Sequence, residues 1–311
     1  MKTIQGISQF KSSISTAVTI GTFDGVHIGH RKILERLIND AKTAGHKSTV
    51  LTFFPHPRMV LQKDTEIKLL NTLDEKIEIL KGLGLDNLII HPFTKEFSRL
   101  SATEFVRDIL VNTLNTKRII IGYDHRFGRN RNASIQDLIG FGNSLDFEVE
   151  EIPAQEIDDV SVSSTKIRNA LLEGDIATAN SYLGYPYMLS GVIKTGKGLG
   201  KKFGFPTANI HIEESYKLIP KKGVYVVKGN LDSKAYFGMM NIGSNPTVSG
   251  KEQSIEVNFF DLDENLYGKK VQVKLLHRLR DEHKFDSVEQ LQRQLEKDKQ
   301  KSLQLIAQHH A

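Results

Sequence analysis

Apolar residues in the first half of the chain follow two alternating patterns. Short β-branched runs, Val18–Ile20, Ser48–Phe54, Asn87–His91, Arg118–Ile121 and Phe147–Ile152, read as buried strands. Between them apolar positions recur at helical spacing: Ile33, Leu34, Leu37, Ile38 and Ala41 within Arg31–Ala44, then Leu73–Gly82, then Ile135–Gly142. Another helix opens on Ser101-Ala102-Thr103-Glu104, where serine and glutamate can satisfy each other's free backbone N–H groups. A last helical face, Ile167, Ala170 and Leu171, stops at Gly174. This alternation predicts an α/β fold, a Rossmann-like parallel sheet with crossover helices. Ligands bind beyond the carboxyl ends of such strands, so the informative residues should follow them.

After Asp175–Tyr187, a mixed polar stretch ending in Gly184-Tyr185-Pro186, the pattern changes. Short alternating strands with glycine-rich turns at Tyr187–Ile193, Gly223–Lys228, Ala235–Asn241, Ile255–Phe260 and Lys270–Leu279 predict a small antiparallel β-barrel. Val288, Leu291 and Leu295 mark the expected apolar face of a terminal helix. The expected domains are 1–183 and 184–311.

Composition narrows the class. The chain has 311 residues, 39% hydrophobic and 25% charged, enough for two cores. No apolar run is long enough to span a bilayer, and Met1–Lys11 lacks the build of a signal peptide. There is no cysteine, which excludes disulfides and thiolate metal sites and makes a cytoplasmic location the expectation. A net charge of +5 suits a phosphate-rich substrate or nucleic acid. The cations are spread along the chain and no basic block is laced with aromatics, so charge alone decides nothing; nucleic acid and a membrane are not among the expected partners.

The chemistry begins at V-T-I-G-T-F-D-G-V-H-I-G-H, Val18–His30. Gly21-Thr22-Phe23-Asp24-Gly25 breaks the strand, and His27 and His30 fall where the helix begins. Free N–H groups and the positive end of the helix dipole favour anions there. Two imidazoles three apart, with Gly29 between them, can converge on one phosphate; the plainer alternative is two histidines in a surface loop. Phe53-Phe54-Pro55-His56-Pro57 follows the second strand, with phenylalanines able to wall a flat ring. Gly122-Tyr123-Asp124-His125-Arg126-Phe127-Gly128-Arg129-Asn130-Arg131 follows the fourth, with the make-up of a binding loop. In Val162-Ser163-Ser164-Thr165-Lys166-Ile167-Arg168 hydroxyls fit a helix N-cap, but cations in a first turn are disfavoured unless an anion binds.

These four motifs, in this order over residues 1–183, resemble the H-x-G-H nucleotidyltransferases and, more specifically, bacterial FAD synthetase. The resemblance implies that His27, Gly29 and His30 hold the ATP phosphates, with the two histidines catalytic. It implies further that Gly21, Phe23 and Asp124 line the nucleotide site and that Ser164, Thr165 and Arg168 form a second phosphate-binding signature. Phe54, His56, Pro57 and His125 would then face the flavin. The chain departs from that family at Thr22, where asparagine is usual, and at His125, where phenylalanine is.

In the second half Gly196-Lys197-Gly198-Leu199-Gly200-Lys201-Lys202 exposes backbone N–H groups beside lysines and can wrap polyphosphate, although its spacing is not that of a Walker A loop. Pro206-Thr207-Ala208-Asn209 follows, offering oxygens of the hard type that suits Mg²⁺ shared with phosphates. With Asn241-Ile242-Gly243-Ser244-Asn245-Pro246-Thr247 and the Asp263–Gly268 turn, the string P-T-A-N resembles riboflavin kinase over about residues 186–300. That resemblance implies Thr207 and Asn209 as Mg-ATP ligands, Gly198 and Lys202 at the ATP phosphates, Glu256 as base and Arg280 toward the flavin. The strand Ile255–Phe260 is expected to turn Glu256 inward among apolar neighbours. Asn258 replaces the usual histidine and receives no role. The expected partners are riboflavin, FMN, FAD and ATP, and the expected activity is bifunctional: phosphorylation of riboflavin by the barrel and adenylylation of FMN by the sheet domain. The rivals are a nucleotidyltransferase for another small phosphate, such as pantetheine phosphate, which would not need the barrel, and a basic RNA-binding protein.

Overall fold

The computed structural model describes residues 1–62, 66–123, 125–153, 162–196, 200, 204–231, 234–247 and 250–310, without the side chains of 245–247, 250–252, 309 and 310. The chain divides into two compact units, Met1–Ser164 and Thr165–Ala311.

In the first unit β1 (Lys2–Gln5), β2 (Thr16–Ile20), β3 (Lys47–Phe53), β4 (Asn87–His91), β5 (Thr116–Gly122) and β6 (Glu148–Ile152) form one sheet in the order β1-β4-β3-β2-β5-β6. Every pairing is parallel. The winding leaves β2 through β3 to β4 and then resumes on its other side at β5. The crevice between the carboxyl ends of β2 and β5 is therefore the switch point of the sheet, where ligands bind in such folds. Both faces are covered: Val18, Ile20, Leu51 and Ile119 pack one way, Ala17, Val50, Leu88 and Ile120 the other. That double burial is why these strands read as continuous apolar runs rather than as alternation.

The expected helices are present as α1 (Ile28–Ala44), α3 (Leu73–Gly82), α4 (Ala102–Glu104) and α5 (Ile135–Leu145), with a short α2 (Pro57–Leu61) besides. The Ser101–Glu104 capping box forms as expected, and the helix runs on through Phe105–Thr113 with wider π-type turns. β1 was not expected. It has four residues, one neighbour and one buried side chain, Ile4, too little to leave a periodic signal.

In the second unit α6 (Ser164–Glu173) and α7 (Ile176–Leu183) lead into β7 (Met188–Lys194), β8 (Ala208–His211), β9 (Gly223–Leu231), β10 (Lys234–Thr247), β11 (Gly250–Phe259) and β12 (Lys270–Arg280). These strands close, all antiparallel, in the order β10-β11-β8-β7-β12-β9. The stretch Asp175–Tyr187, read as polar, is a capped helix that buries Ile176, Ala179 and Leu183. The Asn180 carboxamide donates to the Leu275 carbonyl (2.9 Å) and accepts from the Tyr187 N–H (2.7 Å).

The terminal helix α8 (Val288–His310) corrects another expectation. Val288 is exposed, Leu291 and Leu295 are half-buried on the expected face, and the most buried described positions of α8 are polar: Asp298 and Ser302. Arg280 from β12 grips Asp298 through Nε and Nη2 at 2.7–3.1 Å, Gln294 donates to the same carboxylate, and the Ser302 hydroxyl caps the Asp298 carbonyl. A satisfied ion pair thus continues the face on which Leu291 and Leu295 lie.

Candidate functional sites

Between β2 and α1 the backbone is strained. Phe23 (φ 47°) and Val26 (φ 38°) sit in the left-handed region beside Gly25 (φ 87°), and Val26 is β-branched and fully buried. Such residues cost on the order of 1–3 kcal/mol each and persist where surrounding bonds over-determine them. Those bonds are present. The Thr22 carbonyl accepts from Lys76 Nζ (2.7 Å) and from the Thr52 hydroxyl (3.3 Å). Asp24 Oδ1 accepts from the Leu70 N–H (2.9 Å), and the Asp24 carbonyl accepts from the Ser164 hydroxyl (2.9 Å). Asp24 and Lys76 are 3% and 5% exposed, and sequence reasoning singled out neither as a functional residue. Their work is tertiary, and only the presence of Asp24 inside the motif hinted at it.

This turn delivers the two histidines. His27 is the N-cap of α1, one turn earlier than the helix read from the apolar pattern, and its Nδ1 accepts from the His30 N–H (3.3 Å). Its proton therefore resides on Nε2 in the neutral form. The rings of His27 and His30 stack at 3.6 Å, and Phe23 meets His30 edge-on at 5.2 Å. Burial pushes His27 down to about 4, against the opposing pull of the Asp24 carboxylate. Burial, helped by the nearby His27 and Lys76, holds His30 well below the usual imidazole range. Both rings are thus neutral hydrogen-bonding groups at neutral pH. His30 Nδ1 is buried with no hydrogen-bond partner among the described residues, an unused hydrogen-bonding position at the helix N-terminus.

The neighbouring strands bring two more motifs to the same end of the sheet. Beyond β3, Phe53 is built into an aromatic cluster and Phe54 packs on the opposite core, so the two rings do not form one wall. His56 caps α2 by accepting from the Arg58 N–H (3.1 Å), with Pro57 in the first turn. Beyond β5, Phe127 and Ala133 exchange backbone bonds at 3.2 Å and close a small loop with Arg129 and Arg131 exposed. Phe53, Phe93, Phe97, Phe105 and Phe127 touch in sequence at 5.4–6.2 Å, joining the β3 exit to this loop. His125 stacks on Phe127 at 6.3 Å and 20°. Asp124 lies outside the described residues. Thr165 is exposed and Arg168 half-buried on α6.

On the barrel, Glu256 occupies the middle of a polar row. Asn209 on β8 and Asn241 on β10 stand directly across from it, on the same face. The Thr207 hydroxyl donates to Glu256 Oε2 (3.2 Å). This corrects the inward orientation expected for Glu256. Ile255, Val257 and Phe259 fill the interior, so the carboxylate takes the opposite, outer face and is half-buried there. Asn258 gains a role: 7% exposed, it donates to the Pro206 carbonyl (2.7 Å) and fixes the segment carrying Thr207. Gly196 approaches so closely that a Cβ there would lie 2.1 Å from Asn209 Nδ2. Gly198 and Lys202 lie outside the described residues. Arg280 is committed to Asp298, as described. Among the described residues no group of three or more His, Asp or Glu could hold a metal, whereas Thr207, Asn209 and Glu256 offer hydroxyl, amide and carboxylate oxygens. No helix among them is long and apolar enough to cross a membrane.

A helix N-terminus with two neutral imidazoles at a sheet switch point, followed by a barrel with a row of hard oxygens, is the make-up of a two-module transferase. Residues 9–166 match the FAD synthetase family model and residues 183–306 the riboflavin kinase model. The chain is 38% identical over 291 residues to the bifunctional riboflavin kinase/FMN adenylyltransferase of Listeria monocytogenes, covering 93% of this chain and 92% of that one. It is 35% identical over 300 residues to the Bacillus subtilis enzyme of the same name, covering 94% and 93%. A crystal structure described as a macrolide-efflux protein from Streptococcus pneumoniae superposes with a TM-score of 0.87 at 32% identity, covering 96% and 97%. The chain belongs to the bifunctional riboflavin kinase/FMN adenylyltransferase family, with its FAD synthetase and riboflavin kinase modules in that order.

Proposed function

We propose that residues 184–311 transfer the γ-phosphoryl of ATP to the 5′-hydroxyl of riboflavin, and that residues 1–183 join the resulting FMN to the AMP unit of a second ATP, releasing pyrophosphate. The observation that carries the first-unit assignment is the neutral, stacked His27–His30 pair at the N-terminus of α1, with an unpartnered ring nitrogen. In this reading the FMN phosphate attacks the α-phosphorus of ATP, and the Nε2–H of His27, the ring of His30 and the backbone at Gly29 donate to the phosphate oxygens as charge moves to pyrophosphate. No protein nucleophile is required, because positioning and stabilisation of developing charge carry an in-line displacement. Gly21, Phe23 and Asp124 belong to the nucleotide side of this site, and Ser164, Thr165 and Arg168 to a second phosphate contact. Phe54, His56, Pro57 and His125 belong to its flavin side.

In the barrel Glu256 accepts the riboflavin hydroxyl proton. Thr207 and Asn209 hold Mg²⁺, a fit supported by their hard oxygens and by the row they share with Glu256. When bound, the ion neutralises charge on the phosphoryl oxygens. Gly198 and Lys202 approach the ATP phosphates. Arg280 serves the flavin through α8, which it fastens. The absence of cysteine supports a cytoplasmic setting. The test is incubation of the protein with riboflavin, ATP and Mg²⁺, followed by separation of the flavins. FMN should appear first and FAD after it, and both should stop on chelation. Failure to convert riboflavin overturns the kinase reading, and failure to convert supplied FMN overturns the other.

A further inference from the structure

Lys76 lies one turn into α3, and its side chain runs beneath Thr22 with 5% exposure. Its one hydrogen bond among the described residues goes to the Thr22 carbonyl, an uncharged acceptor that Thr52 also reaches. No carboxylate there comes within ion-pair distance of it. Asp24 acts on it only through space, and Asp24 Oδ1 is engaged by the Leu70 N–H. Burying an ammonium without a contacting counter-charge is costly, and tying down one carbonyl does not require a charge, since a neutral amide would serve. The cation therefore needs a reason outside the fold of the turn. Its surroundings supply one. The same turn carries His27 and His30, the field of Lys76 already acts on His30, and His30 Nδ1 is a buried ring nitrogen without a partner. Charge buried under an anion-receptive helix N-terminus is answered by an anion above it.

We propose that Lys76 is a positioning residue for adenylyl transfer. It anchors the Thr22–His27 turn by its carbonyl and places a fixed positive charge beneath the phosphates of a nucleoside triphosphate. The inference rests on the adenylyl-transfer reading of this site. It adds a residue from a helix that carries none of the motifs, and it gives that residue a preference for the highly charged nucleotide over the flavin phosphate.

The test uses the full chain with Lys76→Gln, Lys76→Met and Lys76→Arg, measuring kcat and the KM values for ATP and FMN in FAD formation. Lys76→Gln keeps a donor for Thr22 but not the charge. It should lower kcat/KM for ATP by about a hundredfold while leaving the KM for FMN within about twofold. Lys76→Met should do no better, and Lys76→Arg should recover most of the loss. If the Met variant does not fold, the Gln variant, checked by thermal unfolding, carries the result. Retention of activity within about threefold by Lys76→Gln overturns the proposal, because the charge is then unnecessary. So does an equal rise in both KM values, the mark of a loosened turn. His27→Ala/His30→Ala is assayed in parallel. If that double variant still makes FAD, the site reading itself has failed. If it is inactive while Lys76→Gln is active, only the role of Lys76 has failed.

Discussion

The two proposed phosphate sites are built in different ways. In the first, recognition is built on backbone: a strained turn between β2 and α1, pinned through Thr22 and Asp24, presents one helix N-terminus and two imidazoles that burial keeps neutral. In the second it is built on side chains that share one strand face, Asn209, Glu256 and Asn241, with Thr207 joined to the carboxylate. The first arrangement tolerates little change because the strain and its supports form one unit. The second is modular, since each side chain sits on a regular strand that holds its shape without it.

The largest effect should come from breaking the turn-borne site. His27→Ala with His30→Ala should lower FAD formation by roughly four decades or more, since each donor to transition-state charge is commonly worth two to three. Riboflavin phosphorylation by the same preparation should be unchanged, and flavin separation after timed incubation reads both. The mirror experiment is Glu256→Gln, expected to cost about two to four decades in FMN formation and to spare the conversion of supplied FMN. Loss of both activities in either variant would erase the contrast between the units.

Acid should separate them next. His27 ionises near 4 when folded and near 6.5 when free, so between those values the unfolded chain binds more protons and stability rises with pH. The contribution is fully present above about 6.5 and is lost as pH falls toward 4, roughly 3 kcal/mol from His27 alone, with His30 acting in the same direction. Urea unfolding of the first unit across that range should follow this slope, and substituting both histidines with glutamine should flatten it.

A smaller effect sharpens the barrel side. Gly196→Ala sets a methyl 2.1 Å from the Asn209 amide and must displace it, so the KM for Mg-ATP in FMN formation should rise about tenfold with FAD synthesis unmoved. The smallest is His125→Phe. The ring already stacks on Phe127, and phenylalanine preserves that contact. FAD synthesis at pH 8 should stay within about twofold, and its profile from pH 5.5 to 8 should superimpose on that of the parent if histidine ionisation is idle.

The strand–turn–helix that carries the two histidines was legible because its signal is local: a β-branched run, a glycine break and two imidazoles at fixed spacing. Its supports were not, because Lys76 and Asp24 act across about fifty residues of chain and look ordinary where they stand. The barrel was visible in alternation, but the face of Glu256 was misread. Pro206 covers the outer side of β11, so both parities look half apolar and Asn258 is as buried as its inward neighbours. Short β1 and β8 fell below any periodic window. α7 and α8 are fastened in a shared way that no periodicity shows: hydrogen bonds through Asn180 and Asp298 tie each short aliphatic face to the barrel.

The Arg280–Asp298 grip has a consequence for motion. A helix at a chain end ordinarily frays independently, exchanging its amide protons long before the body it rests on. Here separation of α8 would strand a carboxylate that is 4% exposed and a guanidinium whose fork it fills. Leaving such a pair unmatched costs about 3–5 kcal/mol. The amides around Asp298 and Ser302 should therefore exchange with those of β12, while the first turn near Val288 exchanges early. The last helix and the barrel open as one cooperative body.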